Sequence, residues 1–142
     1  MGHTWVHHCG HFYNALLESL SYELALTLEA LAKQYPACTS CDIKLIGGGA
    51  SSKKWSQLLA DVTGHSFTLL HRKDAALWGA ALLAAAGTGN LADLQAAAKR
   101  SVQIETVYTP DPEKHADYQK YIRTYGAFKQ ELRGFYQKLS AL

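Results

Sequence analysis

The sequence predicts an α/β domain, and three observations carry that prediction. An apolar strand ending at Ile46 runs through Gly47, Gly48 and Gly49 into an amphipathic helix. A second apolar strand leads into a helix built of alanine and glycine. The chain has 142 residues, 48% of them hydrophobic, which suits one domain with its own core but not two.

Residues 10–34 read as a long helix, because Phe12, Leu16, Leu20, Leu24, Leu28 and Leu31 recur every three or four positions. Pro36 ends it. Residues 42–46 form the first strand. The helix after the glycines spans 52–62, with Trp55, Leu58, Leu59 and Val62 on one apolar stripe and Ser51 or Ser52 as the cap. A second strand at 66–70 precedes a helix at 74–86. Asp74 fits the cap of that helix, and the small residues Gly79, Ala80, Ala81, Ala84, Ala85 and Ala86 predict close packing against the sheet. Gly87 and Gly89 stop it, and Asn90 is placed to cap a short helix reaching Arg100.

An edge strand is expected near 103–108. Asp111, Pro112 and Glu113 then supply an N-cap, a first-turn proline and an acid matched to the helix dipole, opening a final helix that runs to about Leu139. Its stripe of Tyr118, Ile122, Tyr125, Phe128, Leu132, Phe135 and Leu139 predicts docking onto helix 10–34, with a partner or homodimer contact as the alternative.

The chemistry concentrates in the glycine turn. Bare backbone amides at Gly47, Gly48 and Gly49 can approach a ligand oxygen closely, and the helix N-terminus behind them favours an anion. Lys53 and Lys54 in the first turn oppose the helix dipole, a conflict that a bound anion removes. The dinucleotide pattern G-x-G-x-x-G is only partly met, since Ser52 takes the third glycine position. The second strand ends in His71, Arg72 and Lys73 where that pattern wants an acid. Basic residues there suit an NADP 2′-phosphate, so an NADP-binding oxidoreductase fragment is the alternative reading. No catalytic constellation assembles from the residues of this chain: Ser51, Asp61 and His65 are near in sequence without an inferable geometry, Ser51 reads as a cap, and Asp61 as facing solvent or pairing with a neighbouring loop.

Three cysteines point to a reducing compartment. Cys38 and Cys41 form a C-x-x-C, and with His7 and His11 they offer a tetrahedral zinc set, although the spacing between the clusters is not that of a zinc finger. A non-enzymatic domain that binds zinc or a partner is therefore a further alternative. The formal net charge of +2 is spread along the chain, so nothing resembles a nucleic-acid stripe. The longest apolar run, 75–86, is interrupted by Gly79 and too short to span a membrane, and the absence of a signal peptide makes the cytoplasm the expected location.

The wider pattern carries a family resemblance. Gly47-Gly-Gly-Ala50, then Trp55, Gln57, Ala60, Asp61 and Gly64, then Ala75-Ala-Leu-Trp-Gly-Ala-Ala81, resembles the C-terminal domain of the FGGY carbohydrate kinases. Residues 11–18 look like the helix leading into that domain, and Tyr108-Thr-Pro-Asp-Pro112 with Tyr118, Tyr121 and Tyr125 is similar to the tail of the xylulose kinase branch. The resemblance implies the actin-like, ribonuclease-H-like ATPase architecture. Residues 1–142 would be the nucleotide-side domain, and the N-terminal sugar-binding domain with its catalytic aspartate would lie outside this chain.

The resemblance further implies ATP with Mg2+ as cofactors, Gly47, Gly48, Gly49 and Ala50 lining the adenosine and phosphate site, and Lys53 near the ribose or adenine. Alone, the chain is expected to bind nucleotide weakly and to catalyse nothing. Two positions depart from the family pattern: Asn14 replaces a usual arginine, which touches local packing, and Trp78 replaces a smaller apolar residue, which would narrow the nucleotide side.

Overall fold

The computed structural model describes residues 4–40, 42–72 and 74–141. Three strands, β1 (Ile43–Leu45), β2 (Phe67–Leu70) and β3 (Ile104–Tyr108), form one sheet in that order. β1 and β2 are parallel, with Ile43 beside Phe67, and the antiparallel β3 returns along β2 with Tyr108 beside Phe67. The helices are α1 (Cys9–Gln34), α2 (Lys53–Thr63), α3 (Ala75–Gly87), α4 (Leu94–Ser101) and α5 (Pro112–Leu139).

α2 is the hub because both of its long faces are apolar. One face sets Leu59 and Ala60 against Phe67 and Tyr108 of the sheet. The other sets Val62 against Tyr22 and Ala25 of α1 and Ile122 of α5. Its buried hydroxyls are satisfied inside the chain, Thr63 donating to the Leu59 carbonyl at 2.7 Å and Ser56 to the Ala50 carbonyl at 3.4 Å. Ser52 caps it, accepting from the Trp55 amide. Gly64 ends it in the left-handed region, φ 72°, and a Cβ there would lie 2.5 Å from the His115 ring. Sequence and turn chemistry therefore agree on where this helix starts and stops.

α1 begins on His8, whose ring nitrogen accepts from the Gly10 amide, while His11 accepts from the His8 amide to complete a reciprocal cap. It ends at Tyr35, whose backbone (φ −132°, ψ 81°) has left the helical region that a following proline disfavours, and Pro36–Ser40 continues as a 3-10 turn. α5 starts on Asp111, which accepts from the amides of Glu113 and Lys114; those backbone N–H groups, Lys114 first, hold its carboxyl below the usual value. Tyr118, Ile122 and Tyr125 dock on α1 as the stripe predicts. Tyr125 donates to Glu23 at 2.9 Å, and Lys129 pairs with the same carboxylate. Burial first, then the Glu18 charge, pushes the Tyr22 and Tyr118 phenols up, so both remain hydrogen-bond donors at neutral pH.

Five expectations need correction. The buried face of α1 is Ser21, Tyr22 and Ala25, whereas Phe12, Leu16, Leu20 and Leu31 of the predicted stripe are exposed; α1 turns its tyrosine side to α5 and leaves most of its leucine side uncovered. α3 packs chiefly on α4 rather than on the sheet and buries no residue, with Leu77 72% exposed. Asp93, not Asn90, caps α4 through the Ala96 amide, and Asn90 instead donates to Thr88. Asp74 holds the cap position of α3 without a side-chain hydrogen bond. The C-terminal half of α5 likewise leaves Phe128, Phe135 and Leu139 of the predicted stripe exposed.

Candidate functional site

The glycine turn sits where β1 ends. Gly47 takes φ 85°, a conformation that side chains disfavour, and its carbonyl accepts from the Ala50 amide at 3.2 Å to open the short 3-10 turn Gly48–Ser51. That turn passes directly into α2. Gly49 is required for a different reason: a Cβ there would stand 2.4 Å from the Trp55 ring. Gly48 faces open space. Gly47 thus serves a positive φ and Gly49 a close aromatic contact, while a side chain at Gly48 would meet nothing.

A small cleft of about 80 Å³ opens beside this turn. Its apolar part is Leu45, Leu69 and Tyr108 from all three strands; its polar part is Gly47, Ser51 and Lys53 with Arg72 and Glu105. Among the sequence-predicted residues, Gly47, Ala50 and Lys53 line it, while Gly48 and Gly49 shape the turn without lining the cavity. Placement follows topology. β1 and β2 run parallel, so their C-terminal ends, each followed by a turn, lie side by side, which is where open α/β sheets take ligands.

Two contributors were not legible from spacing, and a third, Arg72, was named only for an NADP 2′-phosphate. Glu105 and Tyr108 enter because β3 returns antiparallel beside β2. Arg72 is fixed by a contact that no motif announces: its guanidinium carbon lies 4.1 Å from the centroid of the Trp78 ring. The unusual tryptophan thus does bear on this side of the domain, through an arginine. The indole nitrogens of Trp55 and Trp78 are buried without a hydrogen-bond partner among the described residues.

Asp61 is 4% exposed and pairs with the loop before α5. It accepts from the Asp111 amide at 3.0 Å and from Gln57 Nε2 at 2.8 Å, and the same Gln57 amide donates to the Thr109 carbonyl. This locks the C-terminal half of α2 to the start of α5. It is a structural junction, set on the opposite end of α2 from the glycines.

Cys41 and the side chain of Cys38 lie outside the described residues, so the four-residue zinc set is not placed as a whole. His8 and His11 use ring nitrogens on the α1 cap, His7 contacts Thr4, and Cys9 is an exposed free thiol. Among the described residues no three His, Cys, Asp or Glu side chains converge as metal ligands, and no helix is long and apolar enough to cross a membrane. Lys73 of the basic run also lies outside the described residues.

Comparison with known proteins fits this geometry. Residues 1–88 match the FGGY family of carbohydrate kinases, C-terminal domain. An autoinducer-2 kinase of Escherichia coli strain K12 is 32% identical over 130 residues, covering 82% of this chain and 24% of that protein. A xylulose kinase of Staphylococcus epidermidis is 29% identical over 122 residues, covering 86% of this chain and 24% of that protein. Among solved structures, xylulose kinase from Rhodospirillum rubrum superposes with a TM-score of 0.77 at 27% identity, covering 96% of this chain and 28% of its own. The chain therefore spans about a quarter of the length of the relatives it matches.

Proposed function

The chain belongs to the FGGY family of carbohydrate kinases, whose members share the actin-like ATPase fold, and from that premise we propose that residues 1–142 supply the nucleotide side of a kinase cleft. The observation that carries the proposal is the cleft where β1 and β2 end, where a positive-φ glycine, a helix start and two cations, Lys53 and Arg72, meet an apolar floor. In this reading Gly47 and Ala50 line the adenosine and phosphate region, Gly48 and Gly49 hold the turn beside it, and Lys53 lies near the ribose or adenine. ATP is the phosphoryl donor, and the acceptor is a hydroxyl of xylulose or a related sugar or polyol. The sugar pocket and catalytic aspartate belong to the domain that longer relatives carry, so closure of two domains is what excludes water and aligns donor with acceptor. A cytoplasmic location is part of this proposal, supported by the dependence of the chemistry on ATP.

Among the described residues Mg2+ does not find an all-protein cage. The cleft offers one carboxylate, Glu105, and a hard octahedral ion needs several oxygens. The metal belongs with the nucleotide phosphates and the other domain. The family assignment supports the kinase over the NADP-dependent alternative. An amide NMR titration of the chain distinguishes them: glycine amides of the turn are expected to shift with MgADP at up to millimolar concentration and not with NADP. Shifts with NADP alone, or none with MgADP, would overturn the reading.

A further inference from the structure

We propose that Arg72, held by stacking on Trp78, contacts the phosphate groups of the bound nucleotide, an inference that rests on the nucleotide reading of the cleft. Arg72 follows β2 and lines the cleft together with Gly47 and Lys53. Its guanidinium lies over the Trp78 ring, and Trp78 stands in the early turns of α3. A cation–π contact of this kind restrains where the guanidinium sits, while its N–H donors stay available to a ligand.

Two carboxylates share space with this arginine. Glu105 lines the same cleft, and Asp74 lines the adjoining one with Arg72 and Gln103. Neither forms an ion pair with it among the described residues. An oriented cation without a carboxylate partner, beside a turn of bare amides, matches an oxyanion that offers several acceptor oxygens. The division of labour follows from side-chain chemistry. Lys53 is a flexible point charge that supplies field, whereas Arg72 is a planar fork that supplies geometry. Trp78 is then a positioning residue, acting only through the arginine. It also explains why a bulky ring occupies a place where the family pattern has a smaller apolar residue.

The test compares MgADP with adenosine by NMR shift titration of the parent chain and of Arg72→Ala, Trp78→Leu and the double variant. Arg72 is exposed, so its alanine variant should fold as the parent does. Arg72→Ala is expected to weaken MgADP about tenfold and adenosine by less than about twofold. Trp78→Leu is expected to weaken MgADP by about threefold, again with adenosine spared, and the double variant should bind no worse than Arg72→Ala alone, because the ring has no role once the guanidinium is gone. Unchanged MgADP binding by Arg72→Ala would overturn the inference and leave the nucleotide reading standing. Equal losses for MgADP and adenosine would place the contact on the base or ribose and overturn it as well. Absence of MgADP binding by the parent would remove the nucleotide reading itself, and this inference with it.

Discussion

Phe67→Ala is expected to lower the stability of the chain by about 3–5 kcal/mol, through lost transfer energy and the cavity left behind. Phe67 is 1% exposed and stands at the middle of the sheet, paired with Ile43 on one side and Tyr108 on the other. It packs with Leu59 and Ala60 of α2, and Leu24, Trp55 and Leu69 surround that cluster. No neighbouring side chain is positioned to fill the space, because each is already anchored on a strand or on the central helix. A domain of this size holds only about 5–15 kcal/mol in total, so the loss is a large fraction of it. Urea unfolding followed by circular dichroism should show the midpoint falling with the slope unchanged. A loss below about 1 kcal/mol would show that this cluster is not the core that anchors the glycine turn.

Asp61→Ala should cost about 2–4 kcal/mol, which is large for a polar residue. Removing the carboxylate strands the Asp111 amide and one partner of Gln57 at a junction where little water enters. Lys114 contributes less: its ammonium is 3.7 Å from Asp61 and its side chain is 60% exposed, so solvent screens the pair. The companion variant separates the two effects. Asp61→Asn keeps the acceptor for Asp111 N and loses only the charge, so its cost should stay near or below about 1 kcal/mol. Equal losses for alanine and asparagine would mean that charge, not hydrogen bonding, holds α2 to α5.

Element order was legible in the sequence because local signals and packing agree. Ser52, Gly64, Pro36 and the Asp111-Pro112 pair act through their own backbone geometry, and each structure boundary falls on or beside them. Helix faces were less legible. Leucine periodicity in α1 gives a stripe but not its partner, and α5 meets the tyrosine side, where Tyr125 and Tyr118 reach Glu23 and Glu18. The alanines of α3 signal close packing without saying against what, and its partner here is α4. Exposed Leu77, Leu83, Phe12 and Leu16 show that composition alone overstates what this chain buries by itself. A sequence that spans about a quarter of its relatives carries apolar faces that only tertiary context can allocate.

The site divides along the same line. The glycine turn and Lys53 were legible because they lie close together in one strand–turn–helix segment. Glu105, Tyr108 and the Arg72–Trp78 stack were not, since strand reversal and a side-chain contact bring them together from separate elements. Asp61 read as a surface or loop-facing residue, and only the approach of the Asp111 amide from fifty positions away along the chain shows its buried role.

Paramagnetic broadening by MnADP, with MnCl2 alone as the control, locates the bound nucleotide along the chain. MnADP is expected to broaden the amides of Gly47, Gly48, Gly49 and Lys53, while those of α5 from Phe128 onward stay sharp. Broadening centred on the open groove between α1 and α5, where Glu18 and Asp117 offer carboxylates, or no broadening beyond the MnCl2 control, would contradict a nucleotide site at the glycine turn.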